Sequence, residues 1–147
     1  MSAVSEIMSA RKMVSEKQES NPSVLDVAKK MIGSKVGSVV IVDSNDRPIG
    51  IVTERDILRT ASRSEKSLAV IRASEIMSSP VVSIRAFDSV ESAASVMAQK
   101  KIKRLVVVEQ DGSIAGVISM TDIARKLARI LTDENRRYGS LRAAMEL

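Results

Sequence analysis

Apolar residues along this chain fall into two alternating rhythms, and each rhythm occurs twice. Val24, Val27, Ala28 and Met31 stand at i, i+3, i+4 and i+7, as do Val90, Ala93, Ala94 and Met97, a spacing that gives a helix one buried stripe. The β-branched runs Ser38 to Asp43 and Arg104 to Glu109 follow, short enough to be buried strands. Turn residues Ser44-Asn45-Asp46 and Asp111-Gly112 then lead into Ile49 to Thr53 and Ala115 to Ser119, so each pair predicts an antiparallel hairpin. A short extended piece precedes each first helix, Lys12 to Ser15 and Val81 to Ile84, and a second helix opens near Glu54 and near Met120. For the first helices the start signals are Asp88 with Glu91, read as a capping box, and Asn21-Pro22, a capping residue before a proline suited to a first turn.

The two rhythms are one unit repeated. A shift of 66 residues places Ser23-Val24 on Ser89-Val90, Met31 on Met97, Lys35 on Lys101, Val40 on Val106, Gly50 on Gly116 and Asp56-Ile57 on Asp122-Ile123. Upstream, Glu6-Ile7-Met8-Ser9 recurs as Glu75-Ile76-Met77-Ser78 at a shift of 69, so the first copy carries three extra residues in its first loop. Such a repeat settles organisation before any element is assigned. The reading is βαββα twice: repeat 1 over residues 1–62, a linker over 63–73, repeat 2 over 74–128 and a helical extension over 129–147, interrupted near Tyr138-Gly139. A unit of about sixty residues buries too little surface to be stable alone, so the two are expected to share a core.

Composition narrows what that core can be. Apolar residues make up 44% and charged residues 28% of the 147-residue chain, while Phe87 and Tyr138 are the only aromatics. The interior must therefore be aliphatic, and Met13, Met31, Met97 and Met120 read as filler, with Met13 and Met120 alone placed near a possible cleft. Cysteine and histidine are absent, which removes disulfides, thiolate nucleophiles, imidazole bases and Cys/His metal sites. No apolar run approaches the ~20 residues of a membrane span or forms a secretory leader, so a cytoplasmic location without membrane partners is expected.

The densest chemical signal closes each repeat: Gly50-Ile51-Val52-Thr53-Glu54-Arg55-Asp56-Ile57 and Gly116-Val117-Ile118-Ser119-Met120-Thr121-Asp122-Ile123. A hydroxyl and an aspartate three positions later meet where a strand passes into a helix. That pair can simply cap the helix, worth about 1 kcal/mol. It can also bind, because a carboxylate can hold the vicinal hydroxyls of a ribose while helix N–H groups favour a phosphate. The two roles are compatible.

With its Ile-Met-Ser starts, Val-rich hairpins and Gly-x-x-[Ser/Thr]-x-[Ser/Thr]-Asp endings, the chain resembles the CBS-domain family over roughly Ile7 to Leu127. The resemblance implies an α+β fold of tandem CBS domains, two βαββα repeats packed sheet to sheet with pseudo-two-fold symmetry, as a Bateman module. It further implies two clefts for AMP, ADP or ATP, with S-adenosylmethionine as the lesser candidate. One cleft would combine Thr53, Arg55 and Asp56 with Pro80, Val81 and Val82. Ile102 to Val108 resembles the segment whose basic pair meets phosphates in the gamma subunit of AMP-activated protein kinase, so Lys103 and Arg104 are assigned to that same cleft. The other would combine Ser119, Thr121 and Asp122 with Lys12, Met13 and Val14. Gly37 and Ser38 stand there in place of the basic pair, leaving it no cation of that origin. Read without the family, Lys103 and Arg104 are a solvated rim continuing Lys100-Lys101.

The implied function is an adenine-nucleotide sensor that catalyses nothing, dimerises as CBS pairs do and acts on some regulated protein. Carboxylates and lysines remain, but no paired acids or activated nucleophile stand out. The alternative is nucleic-acid binding, prompted by the formal charge of +5 and by the six basic against three acidic residues from Arg125 to Leu147. The shortage of aromatics to stack bases weighs against it.

Overall fold

A computed structural model describes residues 2–11 and 14–145. The elements are β1 (Ser9–Ala10), β2 (Ser15–Lys17), α1 (Val24–Ser34), β3 (Ser38–Val42), β4 (Pro48–Thr53), α2 (Glu54–Arg63), α3 (Ala73–Ile76), β5 (Ser83–Arg85), α4 (Val90–Lys100), β6 (Arg104–Val108), β7 (Ile114–Ser119) and α5 (Met120–Met145). One sheet has the order β2-β3-β4 and the other β1-β7-β6-β5. In each, a short strand runs parallel to the first hairpin strand and the hairpin itself is antiparallel. Both hairpins break register at the same point, after Ile41 and after Val107. Asp46 takes the left-handed turn position (φ 61) that Gly112 takes in the second copy (φ 86).

The repeat accounts for the core. Val40 and Val42 point to one face of β3 and Val39 and Ile41 to the other, as strand alternation requires. The first pair meets Val106, Val117, Ile114 and Val14 in a layer between the two sheets. The second pair packs with Val27, Met31 and Val52 beneath α1, and Leu105, Val107, Ala93 and Met97 form the matching layer beneath α4. This is the α+β, sheet-to-sheet arrangement expected of two βαββα units. Phe87 and Tyr138 lie outside these layers, 59% and 64% exposed, so the interior is aliphatic.

Each repeat lends its leading segment to the other. Ser9 and Ala10 pair with Val117 and Gly116, and Ser78 bridges Ile51 in the same place on the other sheet. Val4 N donates to the Asp88 carbonyl and Val90 N to the Ser2 carbonyl; correspondingly, Ala73 N donates to Pro22 and Val24 N to Ile71. Val4 and Ala73 are both buried. The closing-motif glycines make room for this exchange. A Cβ on Gly116 would collide with the Ser9 carbonyl oxygen, and one on Gly50 would lie 2.7 Å from Met77 Cγ.

Several local expectations shift. The helix caps are Ser23 and Ser89, not Asn21 and Asp88: Ser23 Oγ accepts from Asp26 N at 3.0 Å and Ser89 Oγ from Ser92 N at 3.1 Å. Asn21 is left-handed (φ 49), and Asp88 accepts from Arg85 N instead. Of the extended pieces, the second begins later than expected, at Ser83, and the first is a strand from Ser15, its expected start at Lys12 and Met13 lying outside the described residues. Register therefore places one of the three extra residues before β2 and two after it. The extension is one unbroken helix through Gly139. No helix among the described residues is long and apolar enough to cross a membrane.

Candidate functional site

Both closing motifs form capped strand-to-helix corners. Thr53 N donates to Asp56 Oδ2 at 2.9 Å, Thr53 Oγ1 donates to the same oxygen at 3.0 Å, and Asp56 N returns a bond to Thr53 Oγ1. In the second copy Ser119 N donates to Asp122 Oδ2 at 2.8 Å, and Asp122 N donates to Ser119 Oγ at 3.1 Å. Capping thus occupies Oδ2 of each carboxylate. Among the described residues, Oδ1 has no ion-pair partner but an arginine one turn on, Arg59 at 3.6 Å and Arg125 at 3.7 Å. Each aspartate side chain is 13% exposed, so a second acceptor oxygen remains for a hydroxyl donor.

The surroundings of the two corners differ. Ser119, Thr121 and Asp122 form one wall of a cavity of about 730 Å³ between the repeats. Opposite stand Gly37, Ser38 and Glu54 at the start of β3 and α2, with Lys35 in the left-handed residue that ends α1. Val14, Val36, Ile57 and Val117 supply aliphatic surface, and Ile32 and Leu58 rim it, 82% and 71% exposed. Asp56 instead lines a groove of about 480 Å³ with Arg59, Thr60, Arg63, Ser64 and Ile76.

Arg104 belongs to the larger cavity. The expectation grouped it with Asp56 and Thr53; the structure places its guanidinium across the pseudo-axis, against Gly37 and beside the Ser119–Asp122 corner. The cleft in which Gly37 and Ser38 stand in place of the basic pair holds Arg104, Lys35 and Arg125. Lys103 is exposed, and its carbonyl accepts from Met120 N at 2.8 Å to close the β6–α5 corner. Of the other residues singled out, Arg55 and Pro80 are exposed. Val81 packs into the layer between the sheets and Val82 beneath α4. Val14 is buried and lines the cavity, while Lys12 and Met13 lie outside the described residues. Sequence reasoning missed Lys35, Glu54, Ile57 and Arg125. Lys35 and Ile57 carried a signal, their repetition as Lys101 and Ile123.

The comparisons with known proteins agree with this architecture. A family model described as the CBS domain matches residues 18–63 and 73–129. Protein MK0525 of Methanopyrus kandleri is 38% identical over 101 residues, 69% of this chain and 52% of that protein. The inosine-5'-monophosphate dehydrogenase of Nitrosopumilus maritimus is 29% identical over 104 residues, 71% of this chain and 20% of the enzyme. The chain thus spans about half of the first relative and a fifth of the second. Among solved structures, the CBS domain protein PAE2072 from Pyrobaculum aerophilum, complexed with AMP, superposes with a TM-score of 0.73 at 30% identity, covering 82% of this chain and 89% of that one. The CBS domain pair of protein MJ0100, in complex with 5'-methylthioadenosine and S-adenosyl-L-methionine, gives a TM-score of 0.75 at 24% identity over 87% of this chain and 97% of that one.

Proposed function

The chain belongs to the CBS-domain family, and from that premise we propose that it is a regulatory module binding an adenine nucleotide, AMP, ADP or ATP, between its two repeats. The observation that carries the reading is the cavity, in which a hydroxyl–carboxylate corner from repeat 2 shares a space with the starts of β3 and α2 of repeat 1 and with aliphatic walls. Asp122 Oδ1 accepts from ribose hydroxyls while Oδ2 keeps its cap. The base lies against aliphatic side chains, since the two aromatics are elsewhere. The cationic wall receives the phosphate. A ligand seated there touches both halves, so it favours whichever relative arrangement closes the cleft, and that difference in affinity is the signal passed on.

The corner at Thr53 and Asp56, with Arg55, Lys103 and Pro80 to Val82, is the second candidate subsite of the same reading. Self-association and a regulated partner protein also belong to it, supported by the exposed Ile32 and Leu58 and by Leu127, Ile130 and Leu131 along α5. Sedimentation with and without AMP tests the association.

Isothermal titration with AMP, ADP, ATP and S-adenosylmethionine, on wild type and on Asp122→Ala and Asp56→Ala, tests the binding. Asp122→Ala is expected to weaken the tightest ligand at least tenfold, about 1.4 kcal/mol. An unaltered affinity in a variant shown by thermal unfolding to be folded overturns the ribose assignment.

A further inference from the structure

We infer that Gly37 decides which adenosyl ligands the cavity accepts, by leaving the space in which the Arg104 guanidinium sits; this rests on the adenosyl-binding reading above and adds its selectivity. A Cβ built on Gly37 would overlap Arg104 Nη2 and lie 3.2 Å from Arg104 Cζ. The backbone does not require glycine, for Gly37 is not among the residues of positive φ. What the position requires is the absence of a side chain.

Repeat symmetry shows why this matters on one side only. Gly37 and Ser38 correspond to Lys103 and Arg104. Arg104 crosses the pseudo-axis and lands on the glycine beside its own counterpart. The reverse crossing has no long side chain to make it, because Ser38 is short, and no socket to receive it, because Lys103 carries a side chain. One cleft therefore gains a cation that the other loses.

Arg104 is a half-buried residue. Among the described residues its guanidinium has neither an ion pair nor a hydrogen bond, although Glu54 Oε1 is 3.1 Å from the same Cβ position on Gly37. A partly desolvated guanidinium gains most from a charged oxygen acceptor. The charged groups of the cavity are Lys35, Arg104 and Arg125 against Glu54 and Asp122; Arg125 faces Asp122 at 3.7 Å, which leaves Lys35 and Arg104 against Glu54. The remaining balance favours an anionic 5' substituent, is indifferent to a neutral thioether and opposes a sulfonium cation.

Titration of wild type, Gly37→Ala, Arg104→Ala and the double variant with AMP, 5'-methylthioadenosine and S-adenosylmethionine tests this. Wild type is expected to bind AMP at least tenfold more tightly than 5'-methylthioadenosine. Each single substitution should weaken AMP about tenfold and 5'-methylthioadenosine less than twofold, and Arg104→Ala should leave S-adenosylmethionine unchanged or tighter. Because both substitutions act on one guanidinium, the double variant should lose no more AMP affinity than Arg104→Ala alone. Unchanged AMP binding in Gly37→Ala, equal losses for the neutral ligand, or losses that multiply in the double variant overturn the inference while leaving adenosyl binding intact. Wild type binding none of the three ligands overturns the adenosyl reading itself, and this inference with it.

Discussion

Alanine at position 116 should be the most damaging single-methyl addition at a glycine of this molecule. The new Cβ would overlap the Ser9 carbonyl oxygen and stand 3.1 Å from the Ser9 carbonyl carbon and 3.2 Å from Met8 Sδ. Carbon and carbonyl oxygen ordinarily approach to about 3.3 Å, so the leading segment must retreat by roughly 1 Å. Backbone cannot swing aside as a side chain can. The retreat separates Ser9 from Val117 and Ala10 from Gly116, and overpacking of this kind costs about 1–3 kcal/mol. We expect the upper half of that range. For a chain of this length 1 kcal/mol moves the melting temperature by about 2–4 °C, so the drop should be about 4–12 °C in a thermal scan. Gly50→Ala adds the same methyl at the same place in repeat 1, but its three nearest atoms all belong to the Met77 side chain, an overlap with Sδ and approaches of 2.7 and 3.0 Å to Cγ and Cε. A thioether side chain can move away, so about 1 kcal/mol is expected. Gly33→Ala, inside α1 with nothing within 4 Å, should stabilise by about 0.5–1 kcal/mol. Urea or thermal unfolding should rank Gly33→Ala above wild type, then Gly50→Ala, then Gly116→Ala. Wild-type stability in Gly116→Ala, or Gly50→Ala as the worse variant, would refute the argument from the exchanged segments.

Two further outcomes follow from exposed features. Asp26 is held below the usual carboxylate range by hydrogen bonds from the Ser23 backbone and hydroxyl, Asp43 by the Arg47 and Asn45 backbone, and Asp111 by the Ser113 hydroxyl and backbone, each against a smaller desolvation. Groups with a depressed folded pKa bind fewer protons folded than unfolded, so their contribution is complete above the unfolded value of about 3.9 and is lost as pH falls below it. Urea midpoints should thus be flat in these terms above about pH 5 and decline below about pH 4, less steeply in Asp43→Asn, and a decline already complete at pH 5 would contradict this. Residues 129–139 of α5 are all exposed, so a chain ending at Ala128 should unfold within about 1 kcal/mol of the full one by chemical denaturation; a loss above about 2 kcal/mol would mean that the helix is packed in solution.

Most of the architecture was legible because the chain states it twice. Val24, Val27 and Met31 against Val90, Ala93 and Met97, and the two Val-rich hairpins, each confirm the other's period. The caps were misplaced because Asn, Asp and Ser crowd both helix starts and all three cap well. Contacts distant in sequence chose the serines: Ile71 and Ser2 take the first helical N–H groups at Val24 and Val90. The break expected at Tyr138-Gly139 is absent because an exposed glycine costs a helix only about 1 kcal/mol. At the site, the Ser119–Asp122 and Thr53–Asp56 corners could be read from spacing alone. The side of the axis on which Arg104 falls could not, since it depends on a missing methyl at Gly37, 67 positions away.

The crossing of the leading segments means that the boundary drawn by duplication in the sequence is not a seam in the molecule. Each half wears a strip of the other, and the last buried surface of either is furnished by its twin. Severing the chain between the halves would leave them clasped, whereas a lone half would have to borrow its missing strip from another copy of itself. The two copies should therefore melt as a single cooperative body, and a ligand between them acts on halves that are already joined.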